Sequence, residues 1–175
     1  MSKVEVVPHN PHWRDAFEAE AKYVAAALGE NVVAVHHIGS TAIPNIYAKP
    51  VVDLLVEVRD ITEVDGRSSA MESLGYEVMG EYGIAGRRYF RKDNREGIRT
   101  HHVHAFEAGS AEVERHLAFR DYLIAYPGDA QKYSELKRRL AGEHPQSIDA
   151  YMDGKDDFIK EMDRRAAQWR TSQAG

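Results

Sequence analysis

The chain has 175 residues, 43% of them hydrophobic and 29% charged, with a formal net charge of −5; that is one domain's length and the make-up of a globular rather than a disordered protein. It contains no cysteine, which excludes disulfides and thiolate metal sites, and its acidic balance argues against a dedicated duplex-DNA binder. No apolar run reaches the roughly 20 residues that span a bilayer, so no membrane role is expected.

The opening MSKVEVVPHN lacks the basic-then-apolar pattern of a signal peptide, and cytoplasm is the expected compartment. Val4 to Val7, closed by Pro8, reads as an edge strand or a lead-in. A helix is predicted from Pro11, with Asn10 as its cap and Trp13, Phe17, Ala21, Val24 and Leu28 forming one apolar stripe that ends at Gly29. Trp13 and Phe17 read as core packing.

Asn31 to Ile38 is a β-branched run and hence a buried strand, and Val51 to Val58 is a second. Alternation along the second puts Asp53, Leu55 and Glu57 on one face, with Val52, Leu54, Val56 and Val58 on the other. Ile61 to Leu74 has a helical pattern that stops at Gly75. Tyr76 to Met79, Arg87 to Arg91 and Thr100 to Phe106 read as three further strands separated by turn-forming segments. Helices are then predicted from Ser110 to Tyr126, from Asp129 to Ala141 and from Ser147 to Trp169, with Pro127-Gly128 as a stop between the first two and Gly154 weakening the last. The pattern is α+β: a mixed sheet packed with helices (about residues 1–109) and a C-terminal helical part (about 110–170), in one domain.

Three groups of residues carry chemistry. Gly39, Ser40 and Thr41 leave the first strand in a turn whose amides and hydroxyls can hold an anion, with Lys49 adding charge ahead of the second strand. Asp53 sits inside a valine-leucine strand, where a bare carboxylate is costly and must be paired, hydrogen-bonded, solvated at a strand end or bound to metal. Glu57, two pleats on, reads as a solvated strand end. In THHVHAFE, His102 and His104 point the same way, about 6 to 7 Å apart at the backbone, a spacing that lets two imidazoles reach one cation. The alternative for the pair is a set of partly buried histidines hydrogen-bonded to carbonyls or acids.

The basic segment offers Arg88 and Lys92, on one face with Phe90 in a regular strand, for phosphate contact, while Arg87, Arg95 and Arg99 read as a solvated hairpin. Of His36 and His37, at most one can share the face of Asp53. On the last helices, Arg120-Asp121, Lys137, Tyr151 and Lys155 read mainly as parts of amphipathic surfaces, with Lys155 able to reach a ligand only if its helix closes over it.

GSTAIP, AKPVVDLLVEV, GRRYFRK, THHVHAFEAGS and HLAFRDYLIAYP, in that order, resemble the GrpB-like family of the nucleotidyltransferase superfamily, which also occurs fused to some bacterial dephospho-CoA kinases. The resemblance covers nearly the whole chain. It implies a nucleotidyltransferase-like fold in which Ile38-Gly39-Ser40 is the phosphate turn and Asp53 the first acid of the superfamily's acid pair. Leu55 stands where the second acid belongs, and His102 or His104 where a third acid is expected.

Two-metal nucleotidyl transfer uses several carboxylates to hold cations about 4 Å apart, so this departure implies an impaired or altered reaction. Residues and resemblance together point to a protein that binds a nucleotide or phosphorylated metabolite with Mg²⁺ or Mn²⁺, Zn²⁺ being the cation of the His-based alternative. Asp53, His102 and His104 would be its ligands, Asp53 and His104 its catalytic pair, and Gly39, Ser40, Thr41, Lys49, Arg88 and Lys92 its substrate contacts. A non-catalytic binding or accessory domain on the same fold, and a single-metal His/Asp hydrolase, are the alternatives.

Overall fold

A computed structural model describes residues 4–174. Two compact units divide the chain: residues 11–38 and 51–114 form a sheet unit, and residues 4–10, 39–50 and 115–174 form a helical unit. The segments 4–10 and 39–50 thus belong with the late helices rather than with the sheet.

In the sheet unit, helix α1 (His12–Leu28) buries Trp13, Glu20, Val24 and Leu28, while Phe17 and Ala21 of the predicted stripe are only partly buried. It ends at Gly29, whose φ of 73° lies in the region that favours glycine. Strands β1 (Val32–Ile38) and β2 (Val52–Val58) pair antiparallel. Between β2 and the next strand, the predicted helix Ile61 to Leu74 is broken into α2 (Ile61–Val64), a 3₁₀ turn at Asp65–Arg67 and α3 (Ser68–Ser73). Gly66 lies inside that turn, consistent with its low helix propensity. Asp60 caps α2 through its carboxylate, which accepts from the Thr62 amide at 2.9 Å.

Strands β3 (Tyr76–Gly80), β4 (Arg88–Asp93) and β5 (Arg99–Glu107) complete a sheet ordered β1-β2-β5-β4-β3. Only the central β2–β5 pair is parallel. Register assigns every side chain to a face. His37, Leu54, Val56, Val103, Ala105, Phe90 and Tyr76 share the face against which α1 packs. On that side Phe17 stacks on His37 at 4.8 Å between ring centres, and Glu20 accepts from the Tyr76 hydroxyl (2.5 Å) and from Lys92 Nζ (2.6 Å). The buried acid of α1 is therefore paired, as burial of a carboxylate requires.

The helical unit contains α4 (Ala111–Ala125, whose first residues lie in the sheet unit), α5 (Pro127–Glu143) and α6 (Ile148–Ala174). Pro127, read from sequence as a stop, opens α5 at its first turn, where its missing N–H is no loss. Ile43, Ile46, Ala118, Tyr122, Leu123, Tyr133 and Met162 form the unit's main core. Val4 to Val7 makes no strand of its own: Val7 and Ala48 form a single antiparallel bridge. Among the described residues no helix is long and apolar enough to cross a membrane.

Candidate functional site

The second face of the sheet carries the chemistry. Asp53 lies between His102 on β5 and Ile38 on β1 in register, and Leu55 lies between His104 and His36. Because β2 and β5 run parallel, Asp53, His102 and His104 converge on one face. His102 Nδ1 is 3.1 Å and His104 Nε2 is 3.3 Å from the same carboxylate oxygen of Asp53. The three ligand atoms lie within 4.8 Å of one another, and the side chains are 23%, 21% and 15% exposed in that order. Burial alone would raise the Asp53 carboxyl, but hydrogen bonds from His102 and His104 outweigh it and hold the group well below the ordinary carboxylate range. Asp53 is an anion at any physiological pH.

The far nitrogens of the two rings settle which way their protons point. Arg87 Nη1 lies 3.3 Å from His104 Nδ1, and Arg99 Nη1 lies 3.4 Å from His102 Nε2. A guanidinium has donors only, so in both contacts the imidazole nitrogen accepts and the proton of the neutral ring faces Asp53. Arg87 is itself held by carbonyl oxygens, donating from Nη2 to Tyr82 (2.9 Å) and from Nε to Glu81 (3.2 Å). Arg99 is held by Asp93 at 2.6 Å. Tyr89, 8% exposed, packs its ring 5.3 Å from His104 and 5.6 Å from His102, with the Arg87 guanidinium 4.7 Å above it.

Several site residues fall elsewhere than sequence predicts. Arg88 and Lys92 pair in register with Ala105 and His101, on the helix-covered face. There Arg88 makes a two-point ion pair with Asp65 (2.7 and 3.2 Å), and Lys92 is tied to Glu20. They do not stand beside Asp53. The positive groups that do are Arg87 and Arg99, read from sequence as a solvated hairpin; Arg87 is in fact 7% exposed.

Strand parity was the available signal, since Tyr89 and Arg91 alternate with Arg88 and Lys92, but the register that fixes it appears only in the folded sheet. Glu57 is not a solvated strand end either: its Oε2 lies 2.6 Å from His36 Nε2, with the carboxylate 17% exposed. His36 thus shares the face of Asp53, while His37 looks the other way.

Gly39, Ser40, Thr41 and Lys49 lie in the helical unit. Gly39 has φ 75°, and Ser40–Ala42 form a 3₁₀ turn in which the Ala42 and Ile43 amides bond back to Gly39 and Ser40. Lys49 places its ammonium 5.7 Å from the centre of the Tyr151 ring.

Residues 3–165 match the family described as GrpB protein. The chain belongs to the GrpB family. It is 47% identical over 168 residues to the UPF0157 protein YqkA of Bacillus subtilis, covering 96% of this chain but only 48% of that relative's length. A weaker likeness, 25% over 195 residues, covers 97% of the chain and 47% of a dephospho-CoA kinase from Mycolicibacterium paratuberculosis.

Among solved structures, the conserved protein GrpB from Enterococcus faecalis superposes with a TM-score of 0.91 at 46% identity, covering 95% of this chain and 99% of that one. Terminal uridylyl transferase 4 from Trypanosoma brucei, solved with dUTP bound, superposes at 0.54 with 12% identity, over 84% of this chain and 52% of that one. That likeness is one of fold: this GrpB-family chain is a mixed α/β protein with a nucleotidyltransferase-like fold.

Two imidazole nitrogens and a carboxylate form a donor set suited to one divalent transition cation. The ring protons work against it. A metal-bound imidazole carries its proton on the other nitrogen and donates it to an acceptor, and in this GrpB chain Arg87 and Arg99 stand in those acceptor positions. The donor set therefore fits one cation by element and spacing, and loading it requires both guanidiniums to withdraw. Leu55, fully buried between His104 and His36 in register, offers no ligand atom to a cation.

Proposed function

We propose that this GrpB-family chain binds a nucleotide or phosphorylated metabolite together with one divalent cation, with Asp53, His102 and His104 as the cation's ligands. The observation that carries the reading is the convergence of two imidazole nitrogens on one Asp53 oxygen, at 3.1 and 3.3 Å, across the central parallel strand pair. Asp53 supplies the negative charge and the two rings supply neutral nitrogen donors. Nitrogen ligands favour Mn²⁺ or Zn²⁺ over Mg²⁺, which prefers oxygen.

When bound, the cation would act as a Lewis acid toward a phosphoryl oxygen. With the cation on its Nε2, His104 would carry its ring proton on Nδ1, the position that Arg87 must first leave. Leu55 favours binding without turnover as the second reading, since the carboxylate that would hold a second cation is missing.

Thermal shift of the wild type and of Asp53→Asn with nucleoside triphosphates, with and without Mg²⁺, Mn²⁺ and Zn²⁺, tests the binding. A specific ligand raises apparent stability by mass action. The expected result is a cation-dependent rise in the wild type that Asp53→Asn loses. A wild type that no triphosphate or sugar phosphate stabilises with any of the cations refutes the reading. Chromatography of the ligand after incubation then separates turnover from binding alone.

A further inference from the structure

Two tyrosines carry the Asp53 face outward from its histidines. Tyr89 packs against both imidazoles, and the ring of Tyr82 stacks in turn on Tyr89, 5.4 Å between centres with the planes 28° apart. Tyr82 comes from the turn between β3 and β4 and is 54% exposed. The aromatic column therefore starts at the rings that flank Asp53 and ends in a ring open to solvent.

An exposed tyrosine by itself means little, because single apolar groups are normal on a surface. This one is fixed by its surroundings. Its φ is 47°, in the left-handed region that a bulky side chain enters only where neighbouring contacts impose it, and such positions cluster at ligand clamps.

The contacts that impose it lie within the turn. Arg87 donates from Nη2 to the Tyr82 carbonyl and from Nε to the Glu81 carbonyl, leaving Nη1 for His104. Its amide donates to Ile84 O and the Ile84 amide to Glu81 O, each at 3.1 Å. The Glu81 carboxylate accepts from the Gly86 amide at 2.7 Å.

The Tyr82 ring has a second neighbour in Arg91, two residues beyond Tyr89 on β4. Its guanidinium carbon lies 5.7 Å from the ring centre, and its Nε donates to Glu77 at 2.5 Å. Tyr89 and Arg91 both rise from the sheet, so the exposed part of the ring is the side turned away from it.

A tyrosine presented in this way accepts a second flat π system. Aromatic rings pair by offset stacking, and every nucleobase has a π-face that can lie on a tyrosine. The contact is one ring upon another, so it needs no enclosing cavity. A sugar phosphate has no such face to offer. Tyr82 stands two ring contacts from His104, of 5.4 and 5.3 Å, an interval that the ribose and phosphates of a nucleoside triphosphate span.

We propose that Tyr82 is the stacking platform for the base of a nucleoside triphosphate whose phosphates meet the cation at Asp53, so that the phosphorylated ligand is a nucleotide and not a sugar phosphate. The platform rests on the cation and phosphates of the reading above and adds the base to them.

Direct titration of the whole chain in Mn²⁺ with ATP, and with tripolyphosphate, which has the phosphate chain without ribose or base, tests this. Tyr82→Ala should weaken ATP by about tenfold or more and leave tripolyphosphate within about twofold of the wild type. Tyr82→Leu, apolar but without a ring system, should lose as much ATP affinity as Tyr82→Ala. Tyr82→Trp should keep it. UTP should follow ATP through the series, since stacking tolerates any base. Tyr23→Ala, at an equally exposed tyrosine on α1, should match the wild type with every ligand.

ATP binding that Tyr82→Ala leaves unchanged, or ATP and tripolyphosphate weakened alike, overturns the platform and leaves the cation and its phosphates standing. A wild type that binds neither ATP nor tripolyphosphate overturns both.

Discussion

Lys137 on α5 is 1% exposed and its Nζ has no hydrogen-bond partner. Replacing it with methionine removes a charge that the folded chain cannot keep, and the protein should become more stable for it. Folded, the amine titrates near 6; unfolded, it returns to its ordinary 10.5. Between those values the unfolded chain binds more protons than the folded one, so stability rises with pH across the window and the penalty is complete below its lower end. At pH 7 the amine is held neutral about 3.5 pH units below where it would ordinarily lose its proton, which at about 1.36 kcal/mol per unit opposes folding by roughly 5 kcal/mol.

Methionine is close to lysine in length, fills the same space and carries no charge, so repacking should subtract little, less than about 1.5 kcal/mol. Urea denaturation followed by circular dichroism, in chloride buffers free of phosphate and sulfate, measures the difference. Lys137→Met should exceed the wild type by several kcal/mol at pH 7, with the gap narrowing steadily toward pH 10.5. A variant no more stable than the wild type at pH 7, or a gap that does not change with pH, refutes the account of Lys137 as an uncompensated buried base.

Three further outcomes are expected. Asp53→Asn should lower stability at pH 7 by about 1.5 to 3 kcal/mol, the usual worth of hydrogen bonds to a charged group. Because the folded carboxyl lies below its ordinary 3.8, that contribution is present above this value and lost as pH falls below it, so acid titration of both proteins should show their stabilities converging.

Arg87→Gln should bind Mn²⁺ or Zn²⁺ roughly tenfold more tightly in a direct titration, since its amide oxygen can accept the Nδ1 proton of a metal-bound His104; equal or weaker binding would show that the arginine does not set the ring's proton. Gly154→Ala should destabilise by about 1 to 3 kcal/mol through the clash with buried Leu140, although the same change in an open helix gains about 1 kcal/mol. A more stable Gly154→Ala in urea melts would mean that α5 and α6 can part without loss.

The strands were legible because β-branched runs and period-two alternation are local properties. Asp53, Leu55 and Glu57 were placed on one face by counting alone, and so were His102 and His104. What counting could not supply was which strands pair. Arg88 and Lys92 look as available as Arg87 and Arg99 until β4 is set antiparallel against β5, with Tyr89 opposite His104 and Arg91 opposite His102.

Helix ends misled where one residue serves two roles: Pro127 stops α4 and starts α5. Lys137 and its neighbour Lys155 were visible only as separate charges. Lys137 and Lys155 are 18 positions apart on different helices, and the close approach that joins them depends on Gly154, which propensity reads merely as a weak point.

Leu55 gains meaning from its neighbours. On the Asp53 face, both carboxylates of β2 are engaged by imidazoles, Asp53 by His102 and His104 and Glu57 by His36, with a fully buried leucine between them. A site for two cations needs carboxylates whose charge is uncommitted. Here Arg87 and Arg99 add positive charge behind the rings at Asp53. Each element of the face lowers its demand for cations. On this nucleotidyltransferase-like fold the carboxylates of the face are matched by the protein's own imidazoles and guanidiniums. A face built this way accommodates one cation at most, and only after its arginines have let go of the histidines.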